Sequence, residues 1–153
     1  QIERIDGIVK DAVAKGAVLR AGGTYDRLFY SPTVLENVTP QMRVYAEEVF
    51  GPVLAVTAFD TDEEAIALNN ATEYGLSTGV ITQSVERAMK FAAKLKTGII
   101  HVNDQTVGDE PWVPFGGRGA SGNGGRHGGV ANWEEFTQWQ WVTIQDRATP
   151  YPF

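Results

Sequence analysis

The chain has 153 residues, of which 42% are hydrophobic and 21% charged, so it can bury the core of one ordinary domain. Its net charge is −6, whereas nucleic-acid binders usually carry a basic surface, so we expect no nucleic-acid partner. The absence of cysteine excludes a disulfide framework, a cysteine-based zinc site and a cysteine nucleophile within these residues. No apolar run approaches the length of a membrane span, so no membrane partner is expected.

The first third of the chain predicts one helix followed by short extended segments. Apolar side chains at helical spacing predict the helix over residues 2–15. Extended segments are expected around 17–19 and 28–35, a turn at 37–40, and a short helix that begins at Met42.

The middle third alternates strands and helices. Apolar runs predict strands over residues 53–59, 76–82 and 99–102. Between them, Thr61 and the glutamate three residues later form a capping box that opens one helix, and Ser84 can cap a second. This β-α-β-α-β order is typical of a mostly parallel sheet flanked by helices, so the predicted fold class is α/β.

Beyond Asn103 the hydrophobic periodicity stops. Residues 104–130 are rich in glycine, and a loop of that length inside a domain is usually functional. Ligands bind beyond the carboxyl ends of strands in open α/β sheets, so residues 103–126 are the first candidate site. Asn103 itself has two open interpretations, a functional polar group or a turn residue that ends the strand. A short helix ending at Phe136 and a strand over 139–145 are expected to follow.

Three apparent motifs in this region lack the context that they need. Gly117-Arg-Gly-Ala-Ser-Gly122 matches the dinucleotide fingerprint, but it neither follows a predicted strand nor opens a helix. Close approach of the backbone to a neighbouring segment or a ligand, which only glycine permits, explains it better. His101 and His127 do not fit a metal-ligand spacing, so no metal site is predicted. An RNA-binding role for residues 116–129 is rejected because no basic field or aromatic platform accompanies them.

Two stronger motifs give the chain a family resemblance. The segment Glu47-Glu-Val-Phe-Gly-Pro52, followed by Val53, resembles the E-[IV]-F-G-P-V motif of the aldehyde dehydrogenase superfamily. Pro114-Phe-Gly-Gly117, followed by Ser121-Gly122, resembles its P-F-G-G-x-x-x-S-G motif. Gly98-Ile-Ile-His-Val-Asn103 is similar to the G-x-[VI]-x-[VI]-N strand between them. Because order and spacing also fit, the chain is identified as a C-terminal portion of a member of this superfamily.

Within the superfamily, the resemblance is to the aromatic aldehyde dehydrogenases, including the benzaldehyde, vanillin and salicylaldehyde enzymes. The segments that carry it are Asn103-Asp-Gln-Thr-Val107, Asp109-Glu-Pro111 and the closing Tyr151-Pro-Phe153. The chain departs from the family pattern at Gly119, where many members have lysine, and by an extra glycine between residues 121 and 129.

The resemblance implies five site residues. Glu48, which on its own would be an ordinary solvated carboxylate, matches the acid that accepts hydrogen bonds from the nicotinamide ribose hydroxyls. Phe50 matches the aromatic residue that packs beside the nicotinamide. Phe115 matches a residue of the aldehyde tunnel, and Thr106 and Val107 occupy the stretch that shapes the mouth of this tunnel.

The implied reaction is the NAD- or NADP-dependent oxidation of a small-molecule aldehyde, expected to be aromatic, to the carboxylic acid. In the family a cysteine thiolate attacks the aldehyde, hydride passes to the nicotinamide, and a glutamate-activated water releases the acid. The residues that perform these steps lie upstream of the motifs seen here, so this chain contains no catalytic residue and is expected to be inactive by itself. A non-catalytic binding or assembly module with the same fold is the alternative.

The resemblance also implies an organisation. Residues 1–130 are expected to be the C-terminal part of the catalytic domain, and residues 131–153 a C-terminal helix, an oligomerisation strand and a tail. Apolar side chains lie on both faces of the predicted strand, and exposed strand edges pair with other chains. A cytoplasmic homo-oligomer, either a dimer or a tetramer, is therefore expected. The other interpretation is that Trp139 and Trp141 pack on the sheet of their own chain.

Overall fold

The computed structural model describes residues 1–150, which divide into two units, Gln1–Thr72 and a second unit that begins at Glu73. The first unit contains α1 (Ile2–Ala14), β1 (Val18–Ala21), β2 (Tyr25–Asp26), β3 (Phe29–Tyr30), β4 (Thr33–Glu36), α2 (Arg43–Ala46), β5 (Val53–Val56) and α3 (Asp62–Asn70). The second contains β6 (Tyr74–Gly75), β7 (Ser77–Val80), α4 (Val85–Ala92), β8 (Ile99–Val102), β9 (Arg118–Gly119) and α5 (Ala131–Phe136). Within these described residues, no helix is long and apolar enough to cross a membrane.

The first unit is built on the apolar face of α1. This face consists of Ile5, Ile8, Val9 and Ala12, which recur at the i, i+3, i+4 and i+7 spacing of a helix and are all buried. They pack in one cluster with Leu35 at the centre of the sheet. Strand β4 is the middle strand of this sheet, antiparallel to β1 and parallel to β5. The helix therefore packs against the middle strand of the sheet, which is the strand that pairs with β5.

The second unit is organised around the parallel pair β7 and β8. Their register runs from Ser77 opposite Ile99 to Val80 opposite Val102. The crossover between them contains α4, and the hydroxyl of Ser84 accepts a hydrogen bond from the N–H of Arg87, as the cap position predicts. Strands β6 and β9 form a separate antiparallel pair.

The helices and strands were predicted more accurately than their pairing. The single, mostly parallel sheet expected from residues 53–59, 76–82 and 99–102 is not confirmed. Strand β5 instead joins β1 and β4, while β7 and β8 form their own pair. Strand β4 provides the partner for β5, and the N–H of Thr33 donates to the carbonyl of Pro52 at 2.8 Å. The predicted α/β class is confirmed only as a mixture of helices and small sheets.

The strand predicted over residues 139–145 is absent from the described structure. Trp139 is 92% exposed and Trp141 is 93% exposed, so the interpretation that they pack on their own sheet is wrong for this chain. A strand requires a hydrogen-bonded neighbour, and no neighbour pairs with this segment among residues 1–150. The closing residues 151–153 lie outside the described residues, and the boundary proposed at residue 130 stays a prediction.

Substitution of Leu35 by alanine tests the core of the first unit. Leu35 is fully buried, so Leu35→Ala should lower the free energy of unfolding by about 3 kcal/mol through lost burial and the cavity left behind. Leu54→Ala is the matched control, because Leu54 lies on the neighbouring strand but is 60% exposed. Urea unfolding of the chain should detect a change of about 0.5 kcal/mol or less for the control. Equal losses for both variants would contradict this assignment of the core.

Candidate functional site

The loop over residues 47–52 links α2 to β5 and has a constrained backbone. Phe50 adopts the left-handed conformation with φ of 52°, which a bulky side chain adopts only when its surroundings hold it there. At Gly51 an added Cβ would lie 2.5 Å from Cδ1 of Ile5, so glycine alone lets this loop approach α1. The loop is therefore folded against the helix at two consecutive residues.

Two side chains at the start of α1 hold this loop by its carbonyl groups. The guanidinium of Arg4 donates to the carbonyl oxygens of Glu48 and Val49, each at 2.8 Å. The side-chain amide of Gln1 donates to the carbonyl of Phe50 at 2.9 Å. Three consecutive carbonyl groups are thus bound by the helix, and the direction of the side chains between them is restricted.

The two neighbouring glutamates have different environments. Glu47 accepts hydrogen bonds from Arg43 at 2.7 Å and from Arg4 at 3.2 Å. The hydrogen bond from Arg43 holds the pKa of the Glu47 carboxyl below its ordinary value. The carboxylate of Glu48 is exposed and makes no hydrogen bond or ion pair within residues 1–150. Glu47 is therefore engaged in the structure, whereas Glu48 is available to a ligand.

Phe50 stands beside Glu48 and projects from the same loop. Its side chain is 79% exposed and lies at the edge of an open cleft of about 640 Å³, which Phe29 and Pro52 also line. Both predicted cofactor residues are thus exposed on this loop, and only Phe50 lines the cleft. Sequence reasoning missed Gln1 and Arg4, because the pattern of α1 reports its apolar face and carries no signal for contacts more than 40 residues away.

In the second unit, Asn103 ends β8 with φ of 57°. Its side-chain amide donates to the carbonyl of Thr82 and accepts from the N–H of Thr82, both at 2.8 Å. Of the two interpretations left open, the structure supports the turn residue that ends the strand.

Phe115 is half-buried and lies between two clefts. Its backbone pairs with that of His127 through hydrogen bonds of 2.7 and 3.1 Å, and the two rings lie 5.1 Å apart. One cleft, of about 510 Å³, is also lined by Ile99 and Ile100. The other, of about 440 Å³, is also lined by His127 and Phe136. Phe115 therefore presents an aromatic wall to two spaces with apolar sides.

The other two predicted tunnel residues lie outside both of these clefts. The carbonyl of Thr106 accepts a hydrogen bond from the hydroxyl of Ser77 at 3.1 Å, which places Thr106 against β7. Val107 is 76% exposed. The structure thus brings Thr106 and Val107 together on one loop, but it does not bring them to the wall formed by Phe115.

The glycine-rich segment uses its glycines for close backbone packing. An added Cβ at Gly117 would collide with the carbonyl of Ser121, and one at Gly98 would collide with the carbonyl of Gly116. The hydroxyl of Ser121 accepts from the N–H of Gly75 at 3.2 Å. The segment that matches the dinucleotide fingerprint begins with strand β9 and opens no helix, so its rejection is confirmed.

No cluster of three or more His, Asp or Glu side chains within residues 1–150 could hold a metal ion.

Comparison with known proteins shows the relationship directly. Residues 1–142 match the aldehyde dehydrogenase family. The chain is 47% identical over 153 residues to a benzaldehyde dehydrogenase [NAD(+)] from Pseudomonas putida, covering 100% of this chain and 31% of that protein. It is 47% identical over 154 residues to a vanillin dehydrogenase from Amycolatopsis sp., covering 100% of this chain and 32% of that protein.

The structural comparison agrees. The crystal structure of a salicylaldehyde dehydrogenase from Pseudomonas putida G7 complexed with salicylaldehyde superposes with a TM-score of 0.89 at 39% identity, covering 99% of this chain and 31% of that one. The chain thus has the fold of the corresponding part of that enzyme, and it spans about a third of the length of the curated relatives that it matches. On the extent of the family match and on these identities, the chain belongs to the aldehyde dehydrogenase family.

Proposed function

We propose that this chain is the C-terminal portion of an NAD- or NADP-dependent dehydrogenase that oxidises aromatic aldehydes to carboxylic acids. Within that enzyme it supplies the clamp for the nicotinamide ribose and part of the aldehyde tunnel. The observation that carries the proposal is the exposed carboxylate of Glu48, without a partner among the described residues, on a loop whose carbonyls are bound by α1. The named activities of the relatives, on benzaldehyde and vanillin, support the aldehyde class.

The chemistry of the loop fits a ribose. A carboxylate has only acceptor positions, and its two oxygens can receive one hydrogen bond from each hydroxyl of a vicinal diol. Arg4 is engaged with two carbonyl groups and with the carboxylate of Glu47, and it makes no ion pair with the carboxylate of Glu48. The nicotinamide group, when bound, supplies the acceptor for the hydride.

The residues of this chain act by orientation. The hydrogen bonds from Gln1 and Arg4 fix the backbone of residues 48–50, so the position of the Glu48 Cα and the direction in which its side chain leaves the loop are set before a ligand arrives. The exposed ring of Phe50 offers a flat apolar surface beside it, which restricts the position of a planar group. A fixed orientation raises the rate because a displacement of about 1 Å can cost roughly a hundredfold in rate.

The second unit is proposed to receive the aldehyde. Phe115, Ile99 and Ile100 give the cleft of about 510 Å³ an apolar wall that suits an aromatic ring. Thr106 and Val107 are proposed to shape the mouth of the tunnel on the neighbouring loop.

Residues 139–145 are proposed to pair with another subunit of a homo-oligomer. The segment has exposed aromatic groups and no partner strand within the described residues. Pairing with a strand of a second chain would satisfy its backbone groups and cover both tryptophans.

Substitution of Glu48 tests the proposed cofactor role. In the full-length protein, Glu48→Gln should reduce the rate of hydride transfer roughly tenfold to a hundredfold, because the loss of a charge-assisted hydrogen bond misorients the nicotinamide. Aldehyde binding should change much less. Stopped-flow absorbance of NADH or NADPH formation in a single turnover measures the rate.

Glu47→Gln is the matched control, because it removes the adjacent carboxylate, which is bound to Arg4 and Arg43. It should affect thermal stability more than the orientation of the nicotinamide. An unchanged hydride-transfer rate in Glu48→Gln would contradict the ribose clamp, and so would equal losses in the two variants.

The ion pairs of Glu47 also predict an effect of pH on stability. The folded-state pKa of Glu47 lies below its ordinary value of 4.5, so its stabilising contribution is present above that value. The contribution is lost as the pH falls through the lower pKa of the folded state. The melting temperature of the wild type should therefore exceed that of Glu47→Gln at pH 7, and the difference should disappear in stronger acid. A difference that stays constant down to pH about 2 would exclude this ion pair as its cause.

Substitution of the two exposed tryptophans tests assembly. In the full-length protein, Trp139→Lys combined with Trp141→Lys should shift the species toward monomer, because two charges would be buried in the interface. Far-UV circular dichroism should remain nearly unchanged. Light scattering measures the mass, and Trp112→Lys, at a 69% exposed side chain outside this segment, is the control. Retention of the original mass by the double variant would reject the interface.

A further inference from the structure

Beyond the end of β7, Asn103 binds the backbone of Thr82 with its side chain, in the way that a neighbouring strand would bind it with its backbone. Its backbone N–H donates to the carbonyl of Val80 at 2.9 Å, which extends the β7·β8 ladder by one hydrogen bond. Its side-chain amide then binds both backbone groups of Thr82, donating to the carbonyl and accepting from the N–H. Among side chains of this length, only the asparagine amide provides an uncharged donor and acceptor side by side.

The loop that follows is attached to β7 a second time. The hydroxyl of Ser77, the first residue of β7, donates to the carbonyl of Thr106 at 3.1 Å. The methyl group of Thr106 also lies over Gly79, where an added Cβ would approach it to 3.2 Å. Residues 103–106 therefore fold back along β7 and are fixed near both of its ends.

We propose that Asn103 is the positioning residue for the mouth of the aldehyde tunnel. It acts through Thr106 and Val107, which follow it on the same loop, and it touches neither the aldehyde nor the cofactor. This inference rests on the proposed function. Release of the Thr82 contact would leave the first end of the segment attached to β7 through the backbone N–H of Asn103. Thr106 would then be held less firmly, by the hydrogen bond from Ser77 and the contact with Gly79.

Comparison with Asn37 shows that the side-chain hydrogen bonds of Asn103 are not needed to form the turn itself. Asn37 follows β4 directly, as Asn103 follows β8, and its φ is 56° against 57°. Within the described residues, the side chain of Asn37 makes no hydrogen bond, so a left-handed asparagine after a strand does not need a clamp. The two hydrogen bonds to Thr82 are therefore additional to the turn, and they act on the loop that Asn103 begins.

The experiment compares Asn103→Gly with Asn37→Gly in the full-length protein. Glycine adopts the left-handed conformation easily, so both variants keep the turn, and only the first loses a side-chain clamp. The readout is the ratio of kcat/KM for a ring-substituted benzaldehyde to kcat/KM for propanal. Asn103→Gly should lower this ratio roughly tenfold, because the larger aldehyde contacts the displaced mouth, while Asn37→Gly should keep the wild-type ratio. The KM for the nicotinamide cofactor should be unchanged in both.

Asn103→Asp is the second variant, and it tests the positioning role of Asn103 if the glycine variant does not fold. Aspartate still accepts from the N–H of Thr82, but its other oxygen faces the carbonyl of Thr82 and repels it. It should lower the ratio in the same direction. Equal losses for both aldehydes, or a wild-type ratio in the folded Asn103 variants, would overturn the inference while the proposed function stands. A wild-type protein that oxidises no aldehyde would overturn the proposed function and this inference together.

Discussion

The candidate cofactor site depends on the hydrogen bonds from Arg4 and Gln1 to the carbonyls of residues 48–50. This loop contains a left-handed phenylalanine, a conformation that an unconstrained chain would leave. The planar guanidinium holds two consecutive carbonyls at once, which a lysine could not do with the same geometry. Arg4 and Arg43 both bind the carboxylate of Glu47, whereas the carboxylate of Glu48 has no hydrogen-bond partner among the described residues. Of these two adjacent carboxylates, Glu47 thus has a structural role, and the binding role is proposed for Glu48.

Features that depend on a few neighbouring residues could be predicted from the sequence. The cap at Thr61 is an example: its hydroxyl accepts from the N–H of Glu64 at 3.2 Å, and the Glu64 carboxylate accepts in return from the N–H of Asp60. The apolar face of α1 is another, because helical periodicity alone defines it. Glu48 and Phe50 were assigned to the cofactor through a motif; both are exposed, and their role stays a prediction.

Features that depend on distant residues could not be predicted. Nothing in the pattern of residues 53–59 identifies β4 as the partner of β5, since pairing is decided by tertiary contacts. Glu47 is distinguished from Glu48 partly by a local contact with Arg43, four residues earlier, but its second contact, with Arg4, joins residues 43 positions apart and has no signal in the sequence. The segment 139–145 has the alternation of a strand, but a strand forms only where a second strand can bind it.

The loops of both units are held by their backbone, whereas the residues proposed to meet ligands are exposed. Arg4 binds the carbonyls of the first loop, and Asn103 binds the backbone of Thr82 at the start of the second. Phe50 and Val107, in contrast, are 79% and 76% exposed. Exposed side chains contribute little to the stability of their own loop, so they can change with the substrate at small cost. The clamping residues cannot change in this way, because each satisfies two backbone groups at once. The side chains proposed to meet ligands can therefore vary on this fold while the backbone that presents them stays fixed.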